Sequence, residues 1–402
     1  MRIVSVRERT VPIGSAMRNA SIGFGGMTAS ALAVVTDRIV AGRPVIGYAF
    51  DSIGRYAKGG LLRERFMPRL LAAAPDSLLD ADGVIDPDAC TRALMRDEKD
   101  GGHGERPGAV GLLDAALWDA RAKLKRLPLW RALAERYGTV AAGATIRVYG
   151  SCGHFRADEP GARGAGGLRD EVQRAADAGY RLVKIKVGGE PADEKRIEAA
   201  ARAMGGPSQV AVDVNGKLEE AGAKRWFAMT GARGVAFVEE PAPPLDYALL
   251  ARYAAMAPGL VATGENLFSL DDARNLLRYG GLRAGRDLLQ FDPLLAYGIG
   301  EYRRIIAAFE AAGWRRDRFV PHAGHLFAAH TVAGLGLGMH EAAPDAALAY
   351  GGFWDGARVE DGTLRIPDHP GVGFEAKANL FALLAPLVED LSTISTSTNT
   401  IT

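Results

Sequence analysis

Short apolar runs that end in a polar residue and a turn signal recur along the second half of the chain. They are RLVKIKVGG (181–189), VAVDVNG (210–216), AFVEEP (236–241), VATGEN (261–266), LLQFDP (288–293) and RFVPH (318–322). Their polar ends fall at positions 186, 213, 239, 265, 292 and 322, in steps of 27, 26, 26, 27 and 30 residues. A strand–helix–strand unit needs roughly 30 residues. The segments between the runs have helical composition, as in PADEKRIEAAARAM (191–204), KLEEAGAKRWFAMT (217–230) and GEYRRIIAAFEAAG (300–313). Strands that alternate with helices predict a parallel sheet. Polar residues at successive C-terminal strand ends predict a closed (β/α) barrel of the TIM type, with its chemistry on that face. No GxGxxG follows an early strand, which argues against a dinucleotide-binding open sheet.

The barrel is expected to start near TIRVYG (145–150) and to close around MHEAA (339–343). In front of it, strand-like pieces (RIVSVRERTVPI, ASALAVVTD) accompany GAVGLLDAALWDARAKL (108–124). In that segment Val110, Leu113, Leu117, Ala120 and Leu124 step 3, 4, 3, 4, which predicts a helix with one apolar face. The expected organisation is an α+β capping domain over 1–140, a barrel over 141–370 and a return to the cap over 371–391. A Ser/Thr-rich tail over 392–402 is expected to be disordered.

Composition narrows the function classes. Nearly half of the 402 residues are apolar, enough for a large core, and the formal net charge is only +1. Mixed charge of that size gives no electrostatic case for nucleic acid or an anionic membrane as partner. Two cysteines, Cys90 and Cys152, form no disulfide framework, so a reducing cytoplasm is expected. No apolar run approaches a membrane span, and the N-terminus lacks the apolar core of a signal peptide.

The strand ends carry the candidate chemistry. Asp213, Glu239 and Glu265 end three successive strands, and three converging carboxylates repel one another unless a cation neutralises them. An all-oxygen set without Cys or His favours Mg²⁺. Lys184 and Lys186 are two residues apart in a strand and share a face. Lost hydration and a like charge nearby should lower a lysine's pKa toward neutrality and make it a general base. Across the barrel, Asp292 and His322 end consecutive strands, and a carboxylate beside an imidazole orients the ring and favours its protonated form. Asn215 shares the face of Asp213, and Glu341, on the next short strand, can meet a substrate oxygen. His325, His330 and His340 read as helix or packing residues.

This ordered set resembles the enolase superfamily, specifically its mandelate racemase subgroup. The resemblance rests on KxK (Lys184, Lys186), DxN (Asp213, Asn215), EEP (Glu239), GEN (Glu265) and the Asp292/His322 pair, with DAALWDARAKLKRLPLW (114–130) and VEDGTLRIPDHPGVGFE (359–375). It implies a modified, enolase-like barrel with an N-terminal α+β cap completed by the C-terminal segment. It further implies one Mg²⁺ per active site on Asp213, Glu239 and Glu265, and an enediolate formed by loss of the proton α to a carboxylate. Lys186 would be the base, Lys184 would depress its pKa, and His322–Asp292 would act from the opposite face.

Within the subgroup, YAFDSIGRYAKGG (48–60), DEKDGGHGER (97–106), ATGENLF, RNLLRYGG and VPHAGH are most similar to D-tartrate dehydratase and related acid-sugar dehydratases. The first two stretches would be cap loops offering Arg55, Lys58, Lys99, His103 and Arg106 to a small hydroxy-acid substrate. Ile53, beside Asp51 rather than Asn, departs from the tartrate enzyme and counts against tartrate itself. The expected activity is dehydration of an α,β-dihydroxy carboxylate to a 2-keto acid. Racemisation or epimerisation of a 2-hydroxy acid by the same Lys and His is the alternative, and a homo-oligomer is expected.

Overall fold

In the computed structural model, residues 1–99, 105–139, 143–156, 165–344 and 348–390 are described. Strands β1 (Ile3–Pro12), β2 (Thr28–Val40) and β3 (Arg43–Phe50) form an antiparallel sheet in that order. The middle strand is buried on both faces from Ala29 to Thr36. One cover is α1 (Glu105–Leu124), which packs on β3.

The sequence predicts one apolar face for α1, but Pro107 to Ala122 is buried all round. Small residues on its other sides allow close approach. A Cβ at Gly47 would collide with the Ala116 carbonyl of α1, and one at Gly111 with the Leu294 carbonyl of the barrel. The helix is therefore wedged between sheet and barrel. Its buried acids are satisfied by backbone amides: Asp119 accepts from Tyr48 N at 2.8 Å and Val372 N at 2.6 Å, and Asp114 from Ile299 N at 2.8 Å. The C-terminal segment also reaches this sheet. Arg7 donates to the Leu387 carbonyl, and Phe381 meets Tyr48 edge-on.

Barrel strands β4 (Thr145–Cys152), β5 (Val183–Lys186), β6 (Val210–Asp213), β7 (Phe237–Glu239), β8 (Leu260–Thr263) and β9 (Leu288–Leu289) pair in parallel, each with the next. Phe319 continues the ring through a single parallel bridge to Leu289. Then β10 (His340–Ala342) pairs back onto β4 and closes it. Between the strands run α2 (Ala165–Asp177), α3 (Asp193–Met204), α4 (Glu220–Arg233), α5 (Tyr247–Met256), α6 (Leu270–Tyr279), α7 (Ile299–Ala311) and α8 (Leu326–Leu335).

The fold is thus a modified TIM barrel with an N-terminal cap. Tyr149, Ala211, Phe237, Ala262, Leu288 and Val320 form a separate apolar cluster, large beside small, that plugs the lumen. Residues further along the same strand faces must lie above this plug, at the C-terminal mouth. Among the described residues, no helix is long and apolar enough to cross a membrane.

Candidate active site

Asp213 and Glu239 are the last residues of β6 and β7 and lie opposite each other in register. Glu265 follows β8 after Gly264, whose φ of +124° turns the chain over the barrel rim. The three buried carboxylates bring oxygens within 4.8 Å of one another. Asn215 orients the first of them: its backbone amide donates to Asp213 Oδ1 at 2.9 Å, and its Nδ2 approaches Oδ2 at 3.3 Å. Among the described residues, Asn215 Oδ1 is buried and accepts no hydrogen bond, and Glu265 Oε2 meets only the His322 ring, 3.3 Å away. A buried acceptor without a donor, beside an oxygen-only triad, suits a hard cation.

Both lysines enter the mouth from β5, as alternation requires. Lys184 contacts Glu239 at 2.6 Å, Glu341 at 2.7 Å and Asp213 at 3.5 Å. Lys186 bonds to Asp213 and is the more accessible of the two, 6% against 1%. The expectation that Lys184 leaves Lys186 with a depressed pKa is not met by the chain's own charges. Burial lowers it and Lys184 adds to that, but Asp213, Glu239 and Glu265 outweigh both, so the ammonium is held above its ordinary value. Burial likewise opposes Lys184, which Glu239, Glu341 and Asp213 hold well above. Burial pushes Glu239 up, with Asp213 adding to it. At Asp213 burial is overcome by the two lysines, and the carboxyl stays well below the usual range.

His322 lies beyond the seventh strand position, with Nδ1 3.5 Å from Asp292 Oδ2 and Nε2 3.3 Å from Glu265 Oε2. Burial would lower its pKa, but Glu265 and Asp292 raise it on balance. Burial alone would raise Asp292, yet His325 and His322 keep it strongly ionised.

His325, read from sequence as a helix or packing residue, does more than pack. It caps α8, and its Nε2 also lies 3.1 Å from Asp292 Oδ1. Glu341 binds Lys184 and accepts from Ala323 N at 3.1 Å, and its carboxyl is lowered to about 2, since Lys184 and His322 overcome burial. Two further polar groups join the site. Gln290 donates to Glu239 at 2.5 Å, and Asn266 bonds to Glu240 at 2.7 Å. Gln290 shares strand parity with Asp292, so alternation could have found it. Glu240 lies past the strand end with φ +42°, and its buried carboxylate accepts from Asn266 Nδ2.

The cap contributes unevenly. Arg55 is partly exposed and reaches Asn266 Oδ1 at 2.5 Å. Lys58 is buried on Asp51 at 2.5 Å and is not free for a ligand. Arg106 holds Tyr297 and Glu98. Lys99 is exposed, and His103 lies outside the described residues. Ile53 lines a small cavity with the apolar Phe50, Leu326 and Phe327 and the polar Asp51, His325 and Lys377.

A capped (β/α) barrel with acids on three consecutive strand ends, flanked by lysine and histidine, defines a class built to hold a metal and move protons. The chain belongs to the enolase superfamily: residues 167–380 match the family described as enolase C-terminal domain-like. It is 29% identical over 284 residues to a 3,6-anhydro-alpha-L-galactonate cycloisomerase from Streptomyces coelicolor, covering 68% of this chain and 70% of that one. An arabinonate dehydratase from Saccharolobus solfataricus is 23% identical over 291 residues, 70% of this chain and 73% of its own. A racemase from Streptomyces coelicolor, solved with bound magnesium, superposes with TM-score 0.73 at 23% identity, covering 96% and 99% of the two chains.

Proposed function

We propose that the protein is a Mg²⁺-dependent hydro-lyase that dehydrates an α,β-dihydroxy carboxylate, an acid sugar, to a 2-keto acid. The observation that carries this reading is one acid triad flanked by two different proton-transfer groups: Lys186 from β5 and His322, backed by Asp292, from across the ring. The dehydratase among the relatives and the magnesium in the racemase structure support it. Asp213, Glu239 and Glu265 would hold the ion, one per site. Bound there, Mg²⁺ would take up the negative charge that keeps the lysines protonated and would stabilise charge developing on a substrate carboxylate.

Lys186, the more accessible lysine, removes the α-proton as the free amine. Lys184 stays paired with Glu239 and Glu341 and fixes their positions. Protonated His322 gives its proton to the β-hydroxyl as the C–O bond breaks, so water leaves, and the enol formed tautomerises to the 2-keto acid. Asp292 holds the imidazolium. Asn215 holds Asp213, and Glu341 faces the same space. Arg55 is our choice for a distal substrate oxygen, with Lys99 and His103 as further cap contacts.

The test is a screen of acid sugars with Mg²⁺ for 2-keto acid formation, followed by deuterium incorporation in heavy water. His322→Asn should still exchange the α-proton while releasing no water, and Lys186→Met should do neither. Exchange by Lys186→Met but not by His322→Asn would reverse the two roles. Exchange with inversion and no 2-keto acid would replace dehydration by epimerisation.

A further inference from the structure

The Asp292 carboxylate receives more donors than a His–Asp pair requires. Oδ1 accepts from His325 Nε2 at 3.1 Å and from Leu294 N at 2.7 Å. Oδ2 accepts from Ser52 Oγ at 2.7 Å and faces His322 Nδ1 at 3.5 Å. Asp292 and Ser52 are both buried, so losing any of these bonds leaves a polar group without water to replace it. Ser52 follows β3 in the cap, 240 residues away in sequence, so the bond joins cap to barrel.

His325 is fixed from its other side. It precedes α8 with extended backbone (φ −87°, ψ 154°), and its Nδ1 accepts from Ala328 N at 3.0 Å, the bond of an N-terminal helix cap. A ring nitrogen that accepts carries no proton, so the proton of the neutral ring is on Nε2, the nitrogen that faces Asp292. The helix start thus selects the tautomer able to donate to the carboxylate.

We propose that His325 and Ser52 are positioning residues that clamp Asp292, rotating it so that Oδ2 addresses His322 Nδ1 and holds the ring with Nε2 in the barrel mouth, beside Glu265. This rests on the reading of His322–Asp292 as the acid side of the reaction. Ser52 makes the arrangement depend on the cap being seated.

Two substitutions separate capping from clamping. His325→Asn keeps an acceptor where Nδ1 stands and deletes Nε2, and Asn is among the best capping residues. His325→Gln places an amide donor near the position of Nε2 and gives up the capping acceptor. On the acid sugar found by the screen, His325→Asn should keep the thermal midpoint and lose about tenfold or more in kcat at unchanged KM. His325→Gln should recover most of that kcat at a midpoint lower by about 2–4 °C.

Nitrogen-15 spectra of the histidine-labelled, Mg²⁺-loaded full chain supply a readout that needs no substrate. The His322 ring signals should move in His325→Asn, and move the same way in Ser52→Ala. If no acid sugar is turned over, the functional reading fails, while these signals still decide the clamp. If His325→Asn does not fold, Ser52→Ala decides by the same signals. Unmoved His322 signals, or a kcat loss confined to His325→Gln, would reduce His325 to a helix cap and overturn the proposal.

Discussion

At the scale of single residues, the site is a balance of buried charges. The two lysines neutralise a carboxylate cluster that burial and mutual repulsion would otherwise oppose. They are not equivalent. Lys184 touches three acids and is 1% exposed, so Lys184→Met should leave buried carboxylates unpaired and cost about 3–5 kcal/mol. Lys186→Met, which loses one partner, should cost clearly less. Urea unfolding measures both, and equal losses would refute the asymmetry. The proposed metal ligands make a second prediction. Asp213→Asn or Glu239→Gln should weaken Mg²⁺ binding at least tenfold, about 1.4 kcal/mol, by titration calorimetry. Unchanged affinity would remove that residue from the ligand set.

At the scale of elements, α1 decides how the cap meets the barrel. Its Asp114 caps the start of α7 through Ile299 N and lies near Thr91. Burial raises this carboxyl to about 8, and Asp88 adds to the effect against the bond from Ile299. The sign of the consequence is fixed. Between about pH 3.9, where the unfolded carboxyl ionises, and about 8, the native state binds the extra proton, so stability falls as pH rises. Asp114→Asn mimics the protonated group and removes that slope. Its thermal midpoint should therefore gain on the natural chain from pH 5 to pH 8, and parallel midpoint curves would show that Asp114 is ionised in the fold. Gly111 acts on the same helix by absence: only without a Cβ can α1 lie against Leu294, two residues from Asp292.

At the scale of the whole molecule, the mouth of the barrel is completed by distant segments. Ser52 reaches Asp292, Arg55 reaches Asn266, Arg106 reaches Tyr297 and Ser21 reaches the Asn215 carbonyl. A cation bound to the triad binds the folded chain alone, because the three ligands come from three strands. Mg²⁺ at a hundred times its dissociation constant should therefore add about 2.7 kcal/mol, and chelation should remove it. A thermal midpoint that ignores both Mg²⁺ and chelator would contradict the proposed metal site.

The barrel was legible because period and alternation are local. A 26- to 30-residue step marks each unit, and parity marks the inward side chains, so Asp213, Glu239, both lysines, Asp292 and His322 could be read from both; Glu265 fits the step but not the parity of Ala262, and enters the mouth through the turn at Gly264. What parity cannot give is distance between side chains on different strands, which closure of the ring sets. Only the tertiary structure showed that the lysines are governed by Asp213, Glu239 and Glu341 more than by each other. It also made His325 a partner of Asp292, sealed Lys58 onto Asp51 and buried α1 on every side. These outcomes depend on which charge lies nearest and which surface is covered. Both are properties of packing between segments far apart in sequence, and no local pattern encodes them.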